Sequence, residues 1–315
     1  MSEIRMSVSA LGDYLKCGER FRRRRIENEW RPFGLAAHIG TAAHEVGRLM
    51  HRRQIAAKEA AGVPNVSLKA LEGEPDKAIA VTEVLLANPM LADEAADLAA
   101  TEFDKAVDEK GWEPSEDDAA NPDAARGAAK DAAIDHSKFY AAKVGTAINP
   151  VSVERMIEVT PRLSGEKQDA QITLRGIIDL IDGSTIGEEV VDRKTSYKAP
   201  RDGSQHGNLQ MSFYAALRLA ETKALPPQQR LEYTVRSPKL GKMSQATLIT
   251  SRTKQDVKEL LQRVQQTAKG ITAGVFMPAD PDQWWCSKKF CEFYGDCKYT
   301  VGRRSHEDTG YLGTI

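Results

Sequence analysis

The sequence predicts an α/β fold, with helices in its first half and a run of β-strands in its second half. Three observations lead to this prediction. Residues 151–160, 171–181 and 188–195 are rich in β-branched residues and alternate or run apolar, as the strands of an antiparallel meander do. The stretches on either side carry apolar residues at helical spacing. A hydrophobic content of 41% over 315 residues allows a sizeable core, in one large domain or two ordinary ones.

The individual elements follow from spacing, caps and breakers. The stretch SALGDYLKCGERFRRRRI predicts a first helix from Ser9 to Ile26, with Ser9 as its cap. Further helices are expected at 42–60, 76–87, 92–110, 123–143, 204–222 and 253–272. After the meander, two more strands are expected near 230–237 and 244–250.

Charge is distributed unevenly along the chain, although the net charge is only -1. Residues 72–123 hold 16 acidic and three basic side chains, and the remainder holds 29 acidic and 41 basic ones. The densest basic run is at Arg20 and 22–25, and Lys288, Lys289, Lys298, Arg303 and Arg304 form a second group. Excess positive charge outside the acidic region favours a partner rich in phosphate, and a solvated face is the alternative.

Two classes of protein are disfavoured by the sequence. No stretch approaches the run of about 20 apolar residues that a membrane span needs, and the start MSEIRMSVSA lacks the apolar core of a signal peptide. We therefore expect a cytoplasmic protein without a membrane partner. No G-x-x-x-x-G-K-[ST] phosphate loop occurs, so we expect no ATP-driven motor.

The stretch LRGIIDLIDGSTIGEEVVDRKT predicts a β-hairpin that carries charged residues inside its strands. Strand residues two apart share a face, so Asp192 and Lys194 point the same way and Arg193 points to the other face. With the turn in the glycine-containing segment 183–187, Asp179 lies roughly opposite residues 190–192. Two carboxylates and an ammonium group are therefore expected to converge.

That convergence predicts a divalent metal site. Two aspartates held close on a half-buried sheet repel each other unless a cation lies between them. A few hard oxygen ligands with open positions suit Mg²⁺ or Mn²⁺, which polarise a phosphodiester oxygen and activate water. Lys194 could orient that water or offset charge in the transition state. The alternative is a solvated strand face on which Asp and Lys pair.

Two further stretches carry residues that could complete the site. His206, Gln210, Tyr214 and Arg218 recur every four residues, which lines them along one side of the predicted helix. The Gln, Tyr and Arg side chains could bind phosphates or bases, although amphipathic packing explains the stripe equally well. His44, in GTAAH, could complete a metal site that two aspartates begin, or it could be structural.

The cysteines form a second constellation. Cys286, Cys291 and Cys297 are spaced as C-x4-C-x5-C, and Cys17 lies 269 residues before the first of them. Four thiolates can hold zinc or an iron–sulfur cluster, and disulfides are disfavoured in a cytoplasmic chain. Unrelated buried thiols are the remaining alternative. Because C-x2-C knuckles are absent, the spacing favours a cluster, which would join the first helix to the tail.

Taken together, these stretches resemble the PD-(D/E)xK superfamily, and within it the RecB-type nuclease domains that carry an iron–sulfur cluster. The matching segments are SALGDYLKCGERF, GTAAH, GIIDLID, VVDRKTS, QMSFY and the closing C-x4-C-x5-C. They occur in the family's order, as in the CRISPR-associated and phage stand-alone exonucleases. The resemblance implies a restriction-endonuclease-like fold, with a central mixed β-sheet flanked by helices, a helical insertion and a C-terminal iron–sulfur segment.

The resemblance also implies a role for each matching residue. Lys194 would be the catalytic lysine, acting with Asp179 and Asp192. The implied ligands of Mg²⁺ or Mn²⁺ are His44, Asp179, Asp192 and the backbone carbonyl of Arg193. The implied ligands of a 4Fe–4S cluster are Cys17, Cys286, Cys291 and Cys297. The residues expected to contact DNA are Gln210, Tyr214, Arg218, Arg22 and Arg24.

The sequence therefore predicts a metal-dependent DNA exonuclease in a bacterial cell or a phage-infected host. It would hydrolyse phosphodiester bonds of linear or single-stranded DNA in recombination, repair or DNA end processing, with recombination or repair proteins as its expected partners. A non-catalytic DNA-binding protein with a structural zinc site, or an endonucleolytic enzyme, are the alternatives. The expected segments are 1–61 with the N-terminal helices, 62–150 as the acidic helical insertion, 151–275 as the nuclease core, and 276–315 as the iron–sulfur segment and tail.

Overall fold

A computed structural model of the protein describes residues 2–114, 116–161, 170–238 and 241–300. The chain divides into two compact units. The first unit comprises residues 1–31, 163–172 and 262–315, and the second comprises residues 32–162 and 173–261. The predicted tail beyond residue 300, including Arg303 and Arg304, lies outside the described residues. The fourfold division expected from the sequence remains a prediction.

The second unit is built on a mixed β-sheet. Its strands are β2 (Pro150–Val159), β3 (Ala170–Ser184), β4 (Gly187–Ser196), β5 (Gln229–Arg236) and β6 (Met243–Thr250). Strand β3 pairs antiparallel with both β2 and β4, which is the predicted meander. Strand β5 then runs parallel to β4, and β6 runs antiparallel to β5. The predicted mixed sheet is confirmed.

Helices surround this sheet. Those of the second unit are α3 (Leu35–Ala60), α4 (Pro75–Ala87), α5 (Ala92–Lys110), α6 (Glu116–Ala119), α7 (Pro122–Phe139) and α8 (Leu209–Thr222). Buried alanines allow α3, α5 and α7 to approach closely around Phe103, which is fully buried. A second apolar cluster joins α3 and α5 to Leu180 and Val191 of the sheet. This core fixes α3 against the strands that carry the charged hairpin.

The first unit contains strand β1 (Ser2–Met6) and two short helices, α1 (Val8–Lys16) and α2 (Gly18–Phe21). The prediction of one helix from Ser9 to Ile26 is wrong. Ser7 caps α1 instead, because its hydroxyl accepts the N–H of Ala10 at 3.1 Å. Extended backbone at Cys17 ends α1, and residues 22–26 form a π-helical turn.

The tail approaches α2 closely at one glycine. Gly18 N donates to the carbonyl oxygen of Met277 at 2.6 Å, and a Cβ atom on Gly18 would lie 2.6 Å from the backbone nitrogen of Met277. Only glycine fits this crossing without moving backbone. The last long helix, α9 (Lys254–Thr272), precedes this segment. Among the described residues, no helix is long and apolar enough to cross a lipid bilayer.

Two buried histidines make the second unit sensitive to acid. His51 is bound on both ring nitrogens, by Gln54 and by the Tyr140 hydroxyl, each at 2.7 Å. Burial lowers the pKa of His51 to about 3 and that of His136 to about 4. Both are therefore neutral in the folded protein at neutral pH.

Because the unfolded chain takes up protons below about pH 6.5, stability is fully present above that pH and falls as pH decreases. We expect each histidine to cost about 2 kcal/mol of unfolding free energy between pH 7 and pH 5. Urea denaturation at the two pH values measures this loss. The His51→Gln variant should lose about 2 kcal/mol less over the same interval. An equal loss in both proteins would contradict the assignment.

Candidate active site

The charged hairpin brings Asp179, Asp192 and Lys194 to one face of the sheet. Leu180 pairs with Val191 in the β3–β4 register, which places Asp179 across from Asp192. Lys194 Nζ lies 2.7 Å from Asp192 Oδ2. The convergence expected from strand periodicity is therefore observed, and the roles of the three side chains remain predictions.

Asp192 lies in an environment that disfavours its charge. The residue is 1% exposed, and its Oδ2 atom is ion-paired with Lys194 while its Oδ1 atom accepts a hydrogen bond from Gln210. Burial raises the pKa of the Asp192 carboxyl to about 7, with repulsion from Asp179 adding to the rise and Lys194 opposing it. Two neighbouring carboxylates, one of them buried, are the kind of oxygen donors that divalent cations bind.

His44 lies on α3 beside the other aspartate. Its Nδ1 atom is 3.3 Å from Asp179 Oδ2, and the same oxygen accepts the backbone N–H of Arg193 at 3.2 Å. Burial, with a contribution from Arg193, lowers the pKa of His44 to about 4. The imidazole is therefore neutral at neutral pH, which is the form that binds metals. Helix α3 thus delivers the histidine to the site that the hairpin begins.

Gln210, on α8, connects the charged groups. Its Oε1 accepts from Lys194 Nζ at 3.1 Å, while its Nε2 donates to Asp192 Oδ1 at 2.6 Å and to the Tyr214 hydroxyl at 2.8 Å. Tyr214 is 3% exposed, and burial raises the pKa of its hydroxyl. One amide therefore fixes the lysine and the aspartate relative to each other, and Tyr214 fixes the amide. Contact of Gln210 and Tyr214 with DNA remains a prediction.

The predicted four-residue stripe on this helix is wrong at its first member. Helix α8 begins at Leu209, because the Asn208 side chain caps it by accepting the N–H of Met211 at 3.1 Å. His206 lies in the preceding turns and does not share the helix face. At the other end of the stripe, Arg218 forms ion pairs with Glu188 and Glu221. Its role in binding DNA remains a prediction.

The sequence did not reveal the role of the Arg193 side chain. Its Nη2 donates to the backbone carbonyl of His44 at 2.9 Å, and its guanidinium lies 5.2 Å from the centre of the Tyr140 ring. A Cβ atom on Gly47 would lie only 1.5 Å from Arg193 Nη1. The one signal in the sequence was Gly47, three residues after His44. Glycine inside a helix lowers its stability, so its presence there indicates a close contact.

In the first unit, the arginines of the basic run form ion pairs with carboxylates. Its ion pairs are Arg20 with Glu292, Arg22 with Glu19 and Glu27, Arg23 with Glu29 and Asp296, Arg24 with Asp13 and Glu292, and Arg25 with Asp13. Arg31 also pairs with Asp296. These contacts join the N-terminal helices to the tail. Binding of DNA phosphates by Arg22 and Arg24 remains a prediction.

All four cysteines lie in the first unit, form no disulfide, and line one cavity. Cys17 Sγ accepts the backbone N–H groups of Arg20 at 3.4 Å and Ala279 at 3.3 Å. Such N–H contacts stabilise the thiolate form of a cysteine. Burial raises the pKa of the Cys291 thiol to about 11.

The described ranges contain no ready-made metal centre. Among residues 2–114, 116–161, 170–238 and 241–300, no group of three or more His, Cys, Asp or Glu side chains is arranged to hold a metal ion. This applies both to the hairpin site and to the cysteine cavity. The case for a metal ion at the hairpin site, or for a cluster in the cysteine cavity, therefore rests on the chemical type of the donor atoms and not on their arrangement.

Comparison with known proteins places the chain in a family. A family model described as the PD-(D/E)XK nuclease superfamily matches residues 5–298. The crystal structure of SSO0001 is 15% identical over 68% of this chain and 87% of its own, with a TM-score of 0.32. A candidate exonuclease from Eubacterium rectale is 11% identical over 98% of this chain and 90% of its own, with a TM-score of 0.42.

Both structural likenesses are distant, and no curated protein sequence matches the chain. The family match covers nearly all of the described residues. The mixed sheet flanked by helices is the restriction-endonuclease-like fold that such nucleases have. The chain therefore belongs to the PD-(D/E)XK nuclease superfamily.

Proposed function

We propose that this nuclease is a metal-dependent deoxyribonuclease of the RecB type that degrades linear or single-stranded DNA from an end. The proposal rests on one observation above all: Asp192 is buried across from Asp179, and Lys194 and His44 each contact one of these two carboxylates. Recombination, repair or DNA end processing would supply such substrates. Without a phosphate loop for ATP, the protein takes DNA that already has an end or is already single-stranded.

In this proposal, His44, Asp179, Asp192 and the backbone carbonyl of Arg193 would hold Mg²⁺ or Mn²⁺. The bound ion would polarise the scissile phosphate and lower the pKa of a water molecule. Lys194 orients the attacking water and offsets the negative charge that develops on the phosphate. Gln210 fixes the positions of the Lys194 and Asp192 side chains through one hydrogen bond to each.

The cysteine cavity is proposed to hold a 4Fe–4S cluster through Cys17, Cys286, Cys291 and Cys297. Support comes from the shared cavity and from the two N–H groups that point at Cys17 Sγ. The cluster would be structural, because it would close a loop of 269 residues between Cys17 and Cys286. The surrounding arginine ion pairs already bring the two ends of that loop together.

A substrate comparison tests the proposed activity. Purified protein is incubated with Mg²⁺ or Mn²⁺ and end-labelled linear duplex, single-stranded DNA or closed circular DNA. We expect the first two to be degraded and the closed circles to remain intact. Cutting of closed circles would favour the endonucleolytic alternative, and intact DNA in all three reactions would exclude the proposed activity.

A further inference from the structure

Part of the first unit presents aromatic rings to solvent in a fixed arrangement. We call Trp284, Trp285 and Phe290 the aromatic corner. Trp284 is 64% exposed and Phe290 is 46% exposed, although both are large apolar side chains. The Trp284 ring meets Phe290 edge to face with centroids 4.7 Å apart, and meets Trp285 in the same manner at 5.5 Å. The rings therefore hold one another in place while remaining accessible.

The backbone of the corner is also held. Ser287 Oγ donates to the carbonyl of Trp284 at 2.8 Å, and the N–H of Phe290 donates to the carbonyl of Ser287 at 3.1 Å. These bonds fold the segment into consecutive turns. The exposed Trp284 ring is thus presented by an ordered turn, so little conformational entropy is lost when a ligand stacks on it.

Two lysines lie next to the rings in the chain. Lys288 and Lys289 are exposed and lie between Trp284 and Phe290 in the chain. The carboxylates that follow, Glu292 and Asp296, are neutralised by arginines. Asp280 and Asp282 precede the rings in the chain. The segment that carries the rings thus holds two exposed lysines between Trp284 and Phe290.

We propose that the aromatic corner binds single-stranded DNA, with an unpaired base stacked on Trp284 and backbone phosphates contacted by Lys288 and Lys289. Aromatic side chains interleaved with lysines are the usual means of holding single strands without sequence preference. The inference rests on the proposed function, since it names the form of DNA that this nuclease takes. The arginine run is less available to phosphates, because its guanidinium groups pair with carboxylates of the same unit.

Stacking selects single strands over duplexes. In a duplex each base already stacks on its neighbours, so Trp284 gains a partner only where bases are unpaired. Stacking on a protein ring contributes about 1–3 kcal/mol for each base, which corresponds to a change in affinity of at least about fivefold. Each lysine that contacts a phosphate adds a dependence on salt concentration.

The test uses the full-length holo-protein in EDTA, so that binding is measured without cleavage. Fluorescence anisotropy follows a labelled oligothymidine strand and a blunt duplex of equal length. We expect the single strand to bind more tightly than the duplex. Trp284→Ala should weaken single-strand binding at least about fivefold and leave duplex binding unchanged, whereas Trp284→Phe should retain most of the affinity. Lys289→Ala should reduce the slope of binding against salt concentration.

Met277→Ala is the matched control, because Met277 is a 73% exposed apolar residue of the same unit outside the corner. It should bind DNA as the wild type does. Visible absorption and melting temperature of each variant show that the unit remains folded. Unchanged single-strand affinity in a folded Trp284→Ala protein would overturn the proposal, as would binding that prefers the duplex.

The two proposals fail in different ways. If the aromatic corner has been misassigned, Trp284→Ala binds and degrades single-stranded DNA as the wild type does, and the proposed nuclease function stands. If the nuclease function has been misassigned, the wild type leaves DNA intact with Mg²⁺ or Mn²⁺ while binding still depends on Trp284.

Discussion

Replacing Lys194 by alanine should lower the rate of DNA cleavage by about 10²- to 10³-fold, the usual effect of removing one group that stabilises transition-state charge. Lys194 pairs with Asp192 and donates to Gln210, and its side chain is 35% exposed. Its loss should therefore change the free energy of unfolding little. Single-turnover cleavage of end-labelled linear DNA, with saturating Mg²⁺, measures the rate.

Lys143→Ala is the control for this variant. Lys143 is an exposed lysine of the same unit and has no part in the candidate site. It should cleave at close to the wild-type rate. If Lys194→Ala retains wild-type cleavage, or if Lys143→Ala loses as much, Lys194 does not have the proposed role.

The second large effect is expected at the cysteine cavity. Cys286→Ser should lose the visible absorption and most of the iron of protein purified without oxygen. It should also lose several kcal/mol of unfolding free energy, because closing so long a loop contributes about 5–6 kcal/mol by analogy with covalent cross-links. Iron analysis, visible spectra and denaturant titration measure these quantities.

Asp192→Asn provides the contrast, since Asp192 lies in the second unit. It should keep iron, colour and stability while losing cleavage. Colourless wild-type protein that contains zinc and no iron would contradict the proposed cluster and favour a structural zinc site. Equal loss of folding in both variants would show that one of the two roles is misassigned.

The hairpin could be predicted from sequence because strand geometry is local and regular. A period of two residues decides which side chains share a face, and a short turn limits the register. The approach of Asp179 to Asp192 could therefore be predicted by counting residues from the turn along each strand. The helix that carries Gln210 was less predictable. Its start depends on a single cap, Asn208, and the predicted start near residue 204 placed His206 on a helix face that it does not share.

Contacts between distant segments could not be predicted. Arg193 reaches the backbone of His44, 149 residues earlier, and only the glycine at position 47 gave a sign of it. Likewise, the arginine run was correctly recognised as a concentration of charge, but charge does not reveal its partners. The structure pairs these arginines with carboxylates of the same unit, including Glu292 and Asp296.

A divalent ion shared by Asp179 and Asp192 is the feature on which the proposed chemistry depends. Anomalous diffraction from crystals soaked with Mn²⁺ locates that ion directly. We expect one strong peak between the two carboxylates, in contact with the His44 imidazole. Manganese bound only elsewhere in the protein, at a concentration that supports cleavage, would contradict the proposed site.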